Sequence, residues 1–126
     1  MCTEERHVTD IVVIEQDELM RNLIVEWLTA EGYAVAAGSA ADMARVRCNL
    51  LIVDLPAPRD TGSGTIHALR RPYPHAPVIA TSASFRAGLP AEGSAAQALG
   101  VARVLPKPFS LAELLAAVHA VVGPPR

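Results

Sequence analysis

Four stretches of the chain carry side chains that could do chemistry together. Glu15-Gln16-Asp17 offers two carboxylates and a carboxamide, Asp54 a further carboxylate, Thr81-Ser82 two hydroxyls, and Lys107 the single lysine of the sequence. Carboxylate oxygens suit a hard divalent cation, and Mg²⁺ is typically held by one or two carboxylates together with phosphate oxygens and water. An ammonium and a hydroxyl add donors for phosphoryl oxygens. The set therefore suits a divalent cation and a phosphoryl group, provided the fold gathers it. Ten of the eleven basic residues are arginine, so the lone lysine marks either a need for an ammonium or chance. Other chemistries find less support. His7, His67, His75 and His119 share no ligand spacing. Cys2 and Cys48 form no Cys-x-x-Cys pair, which leaves no disulfide framework or zinc site, and Cys48 reads as a buried small hydrophobe. Gly62-Ser63-Gly64 is not followed by Gly-Lys-Ser/Thr and is not a phosphate-cradling P-loop.

The elements that must position these residues are legible as alternating short apolar runs and amphipathic stretches. Ile11–Ile14 is a β-branched run too short for a helix and reads as a strand buried on both faces. Asp17 or Glu18 opens a helix whose stripe is Leu19, Met20, Leu23, Ile24, Trp27 and Leu28, and Gly32 closes it. Tyr33–Ala37 is a second strand, and Ser39 with Asp42 starts a short helix to about Arg47. Leu50–Val53 is an apolar third strand ending abruptly at Asp54, before a Pro- and Gly-rich loop over 55–64. A short helix is expected over 65–71, broken by Pro72 and Pro74. A strand follows over 77–81, an alanine-rich helix over 91–99 and a strand over 101–105. Ser110 and Glu113 form a capping box for a last helix over 111–122. Strands alternating with helices predict an α/β fold: a five-stranded parallel sheet, order 2-1-3-4-5, flanked by five helices. Such sheets bind ligands at the carboxyl ends of the strands beside the switch point between strands one and three. Glu15-Gln16-Asp17, Asp54, Ser82 and Lys107 all fall at strand ends on that side.

Bulk properties agree with a small globular module. The 126 residues make one domain, with its core over about 10–122, and 51% of them are hydrophobic. Eleven basic against thirteen acidic residues give a formal charge of −2, which argues against a nucleic-acid partner. There is no apolar h-region near the start and no run long enough to span a membrane, so a cytoplasmic protein with no membrane contact is expected.

The order of the motifs resembles the receiver domains of two-component response regulators over residues 10–122. The family carries an acidic pair after strand one, where Glu15-Gln16 lies. It carries a phospho-accepting Asp after strand three with a proline four residues on and a glycine eight residues on, and Asp54, Pro58 and Gly62 match. Ser82-Ala83 matches the hydroxyl residue after strand four, and Lys107-Pro108-Phe109 the Lys-Pro-Phe after strand five. The resemblance implies that Asp54 accepts a phosphoryl group, with Lys107 and Ser82 on its oxygens. It further implies that Mg²⁺ is held by Glu15, Asp54 and the Pro56 carbonyl, and that the Lys107–Pro108 peptide bond is cis. It also implies a signalling role rather than an enzyme's, with a histidine kinase or histidine phosphotransfer protein as donor.

Two positions depart from the family pattern. Gln16 stands where the family has an Asp that ligates Mg²⁺ directly. Losing one charge at the ion costs roughly 1–3 kcal/mol, about ten- to a hundredfold in affinity, so Mg²⁺ is expected to bind weakly, with Gln16 a weak or absent ligand. Asp17 is the nearest substitute, though its place at the helix start argues against it. Val104 stands where many receivers have Tyr or Phe, and valine cannot make the aromatic ring's swing. These departures leave room for an alternative, a degenerate pseudo-receiver used as a phosphorylation-independent binding module. A flavodoxin-like cofactor binder is disfavoured, because the acidic loop after strand one would repel phosphate.

Each residue also has a plainer role open to it: Asp54 as a turn former, Glu15 as a solvated strand-end acid, Ser82 as a loop cap. Trp27 and Tyr33 read as core. In the last helix, Leu111, Leu114, Leu115, Val118 and Val122 form the core stripe. Ala112, Ala116, Ala117 and Ala120 form an opposite face with few polar groups. That face suits a downstream protein target or a homodimer, or is simply an alanine-rich surface.

Overall fold

The computed structural model describes residues 9–38, 47–54, 76–82 and 101–124. Within them the chain forms strands β1 (Thr9–Ile14), β2 (Val35–Ala37), β3 (Cys48–Asp54), β4 (Val78–Ser82) and β5 (Arg103–Pro106), with helices α1 (Glu18–Glu31) and α2 (Leu111–Val122). The strands form one sheet in the order β2-β1-β3-β4-β5, and every pairing is parallel. This is the expected topology. The helices expected over 39–46, 65–71 and 91–99 lie outside the described residues.

The apolar runs explain why these segments are central strands. Side chains alternate between sheet faces. Ile11, Val13, Leu50, Ile52 and Ile79 face α1 and α2, where Ile24, Leu28, Leu114 and Val118 complete one cluster. Val12, Leu51, Val53, Val78 and Ala80 point the other way and are equally buried. A strand apolar on both sides is stable only with both faces covered, which is the situation of a parallel sheet's interior.

Local signals set the helix ends. The Asp17 side chain accepts from the Leu19 and Met20 amides at 3.0 and 3.2 Å, satisfying two of the orphan donors of α1. Gly32, at φ 113°, closes the helix in the left-handed region, where a side chain would be strained. The core stripe of α1 is narrower than expected. Ile24 and Leu28 are fully buried and Met20 and Trp27 partly so, but Leu19 is 82% and Leu23 37% exposed. These two leucines are four residues apart and share a line on the outer flank of the helix. Trp27 is thus a boundary residue rather than core. Tyr33 is core, and its hydroxyl donates to the Gly123 carbonyl at 2.7 Å, tying the start of β2 to the end of α2. Cys48 is only half-buried, at the outer end of β3, and burial pushes its thiol up, so it is a poor nucleophile.

The expected capping box is present in α2. Ser110 Oγ accepts from the Glu113 amide at 3.1 Å, and Glu113 Oε1 accepts from the Ser110 amide at 2.8 Å. Leu114, Ala117 and Val118 are buried, Leu115 and Val122 partly buried, and Leu111 is 39% exposed. Ala117 therefore belongs to the core stripe and not to the outer alanine face, because the helix packs on the 114-117-118-121 line. Ala112, Ala116 and Ala120 remain exposed.

The capping box lies three residues beyond Lys107 and holds the chain as it leaves β5. Ser110→Ala should lower unfolding stability by about 1 kcal/mol and leave the folded-state amide spectrum of β1 and β3 unchanged. Chemical denaturation with an amide correlation spectrum checks both.

Candidate functional site

The site is built at the carboxyl end of the sheet. Ile14 pairs with Val53, so one residue further on Glu15 stands beside Asp54. β4 brings Thr81 beside Asp54, and β5 brings Pro106 beside Ser82. The next residue, Lys107, reaches back across the strand ends. Its Nζ lies 2.8 Å from Asp54 Oδ1 and 2.9 Å from Glu15 Oε1, with side-chain exposures of 16% for Lys107, 12% for Asp54 and 2% for Glu15. The Lys107–Pro108 bond is cis, as the family resemblance implies.

Glu15 is fixed from both sides. Its Oε2 accepts from the Asp17 amide at 3.1 Å, and its backbone carbonyl accepts from Arg21 Nη1 at 3.1 Å. Gln16 is exposed, in the bend that follows β1. Asp17 is committed to capping α1 and is not a replacement for the missing acid. The Ser82 side chain and the whole of Pro56 lie outside the described residues. The structure thus brings Glu15, Asp54 and Lys107 together, with Gln16 exposed at their margin. Sequence reasoning paired Lys107 with Asp54 and set Thr81-Ser82 at the end of the fourth strand, but missed the second contact of Lys107 to Glu15 and the Arg21 brace. Strand register carries the first of these, and the predicted strand order names neighbours without fixing their register.

Two carboxylates around one ammonium leave a net charge of −1. Burial alone makes the Lys107 ammonium harder to keep, but its hydrogen bonds to Asp54 and Glu15 and their charges outweigh that, so its pKa lies above the ordinary lysine value. The residual negative charge and the hard oxygen donors fit a divalent cation held at Asp54 and Glu15. The donor set is one carboxylate poorer than two acids after β1 would make it, because Gln16 is neutral.

Residues 11–119 match the family described as response regulator receiver domain. The chain belongs to that family. It is similar to the transcriptional regulatory protein CpxR of Escherichia coli (strain K12), at 30% identity over 116 residues that cover 89% of this chain and 48% of that protein. The receiver thus spans about half the length of the curated relatives it matches. Among solved structures it resembles the Vibrio cholerae chemotaxis protein CheY4, with TM-score 0.73, 21% identity, and 91% of this chain and 99% of that chain covered. It also resembles the receiver domain of sensor histidine kinase PA1611 from Pseudomonas aeruginosa PAO1, a structure with magnesium coordinated in its active-site cleft. There the TM-score is 0.70 at 22% identity, covering 91% of this chain and 98% of that one. The receiver is a signalling module of two-component systems, and among its described residues no helix is long and apolar enough to cross a membrane.

A receiver with one lysine offers a direct readout of the pair. With ¹³C-lysine labelling, the side-chain signal of Lys107 should titrate above its ordinary value of 10.5, and Asp54→Asn or Glu15→Gln should each bring it down. The sign for stability follows. A raised folded-state pKa gives a contribution present in full below the ordinary value and lost as pH climbs through the folded one. A wild-type midpoint at or below the ordinary value would show that the pair is not populated in solution.

Proposed function

We propose that this receiver takes a phosphoryl group onto Asp54 from a phosphohistidine of a histidine kinase or phosphotransfer protein, and passes the signal on by protein contact in the cytoplasm. The observation that carries the reading is the 2.8 Å pair between Lys107 Nζ and Asp54 Oδ1 at the carboxyl end of β3. An Asp that merely ended a strand would not need the only lysine in the chain.

An Asp54 carboxylate oxygen attacks phosphorus in line, and the phosphorus–nitrogen bond of the donor breaks with its electron pair returning to the imidazole. Little covalent work remains for the protein, so positioning and charge neutralisation dominate. Glu15 and Asp54, with the Pro56 carbonyl, are the residues that would hold Mg²⁺, and Gln16 contributes weakly or not at all. When bound, the ion neutralises charge on the phosphoryl oxygens. Lys107 moves from the carboxylate to a phosphoryl oxygen, which a compact ammonium on a flexible stem does better than a planar guanidinium. The Ser82 hydroxyl serves a further oxygen. Val104 is buried and lacks the ring that many receivers use for readout, so the readout runs through Ser82, Lys107 and the elements they hold. The module acts as an acceptor rather than a turnover enzyme.

A second reading, a pseudo-receiver binding partners without phosphate, is favoured by one observation. Gln16 is exposed and neutral, and Lys107 already bridges both carboxylates. Intact mass after incubation with acetyl phosphate and Mg²⁺ separates the two. The phospho-switch reading expects a gain of one phosphoryl group in wild type and none in Asp54→Ala. It also expects Gln16→Asp to reach half-modification at about ten- to a hundredfold less Mg²⁺. An unmodified wild type under saturating Mg²⁺ leaves the pseudo-receiver reading standing.

The exposed Ala112, Ala116 and Ala120 on α2 are the surface we propose for a downstream target or a second copy. Ala116→Glu with Ala120→Glu should abolish any self-association seen in sedimentation while leaving the far-ultraviolet circular dichroism unchanged. Unaltered sedimentation would move the contact elsewhere.

A further inference from the structure

Glu15 lies one residue beyond β1, past the last paired residues of that strand, Val13 towards β2 and Ile14 towards β3. It is buried, and a buried carbonyl that has left the ladder needs a donor from elsewhere. Arg21 supplies it. Helical side chains lean back towards the start of their helix, and Arg21 Nη1 donates to the Glu15 carbonyl at 3.1 Å. The Arg21 amide donates to the Asp17 carbonyl at 2.8 Å. One residue of α1 therefore holds the carbonyls on both sides of Gln16, at the bend between strand and helix. The carboxylate of Glu15 depends on that bend. Its Oε2 accepts from the Asp17 amide at 3.1 Å and its Oε1 from Lys107 Nζ at 2.9 Å. Both bonds require the backbone of residues 15–17 to stay in one shape, and the Arg21 guanidinium grips the end of it that β1 no longer holds.

We infer that Arg21 is a positioning residue of the cleft: by clamping the bend at Gln16 it aims the Glu15 carboxylate at Lys107 and at the cation site shared with Asp54. The inference rests on the reading that Glu15 and Asp54 belong to one phosphoacceptor site. Arg21 acts through the Glu15 backbone and takes no part in the transfer itself. Without the guanidinium the Glu15 carbonyl loses its donor, the 15–16 peptide can turn, and the carboxylate leaves the geometry in which it meets Lys107. The bond from Lys107 to Asp54 Oδ1 has no such dependence. A plain electrostatic role would act in the opposite direction, because a positive charge near a cation site weakens binding there.

The probe is the ¹³Cε signal of Lys107, the only lysine, at fixed pH. In metal-free protein, Arg21→Met should move this signal from its wild-type position towards that of Glu15→Gln. Arg21→Lys, which keeps a charged donor, should move it less, and Arg21→Met should add no further shift in a Glu15→Gln background. Arg21→Gln serves if methionine impairs folding, as judged by circular dichroism. In a Mg²⁺ titration followed by the same signal, Arg21→Met should need roughly fivefold more Mg²⁺ than wild type, the worth of one hydrogen bond. A wild-type signal in metal-free Arg21→Met overturns the inference. So does a shift that persists undiminished beside Glu15→Gln, which would assign the effect to packing, and so does a lower Mg²⁺ requirement, which would make the role electrostatic. A wild type whose Lys107 signal ignores Mg²⁺ counts against the cation reading, while the metal-free comparison still decides whether Arg21 aims Glu15.

Discussion

Two carboxylates at the ends of adjacent parallel strands, largely removed from water, repel each other unless a cation is shared between them. Lys107 is that cation, and the rest of the receiver is arranged to deliver it. The pairing of β1 with β3 sets Glu15 next to Asp54. The pairing of β4 with β5 carries the chain to the same edge, so that Lys107 begins just past the last paired residue. Burial makes the arrangement consequential. Deleting one member of a buried ion pair leaves an uncompensated charge and typically costs about 3–5 kcal/mol. The two carboxylates are thus held together by a contact that the proposed phosphoryl transfer would have to release.

The surrounding structure limits what else can take part. Asp17 is an acid close in sequence to the cleft, yet its carboxylate is spent on the first turn of α1 and its amide on Glu15. Arg21 braces the Glu15 carbonyl from within the same helix. These contacts fix Glu15 while making Asp17 a poor stand-in for the acid that Gln16 replaces. The weakened metal affinity expected of Gln16 is therefore not repaired by its neighbour. The ammonium offsets one of the two carboxylate charges of the cleft at rest.

The apolar framework and the polar edge are one construction. Two residues beyond the buried Val13, Ile52 and Ile79 stand Glu15, Asp54 and Thr81. A sheet interior that tolerates no polar group gives way to a cluster of them within two residues. Thr81 sits at that boundary, buried like the residues before it and polar like those after it.

Much of this was legible in the sequence, for identifiable reasons. Short β-branched runs, a capping box at Ser110 and Glu113 and a glycine at position 32 are local signals, and local hydrogen bonding decides them. The alternation of strands and helices determined a parallel sheet and its order, and that order placed Asp54 and Lys107 at one edge. Faces and partners were not local. Leu19 carries the helical spacing of a core residue but lies on the flank that packing leaves exposed, while Ala117 looks like surface and is core, because the rotation of each helix is set by the sheet beneath it. The sequence by itself determined which residues could meet. Only the tertiary structure decided that Lys107 is shared between Asp54 and Glu15, that Gln16 is exposed and that Thr81, its hydroxyl unpartnered, is the register partner of Asp54, since register between strands far apart in the chain is fixed by packing and not by any one of them.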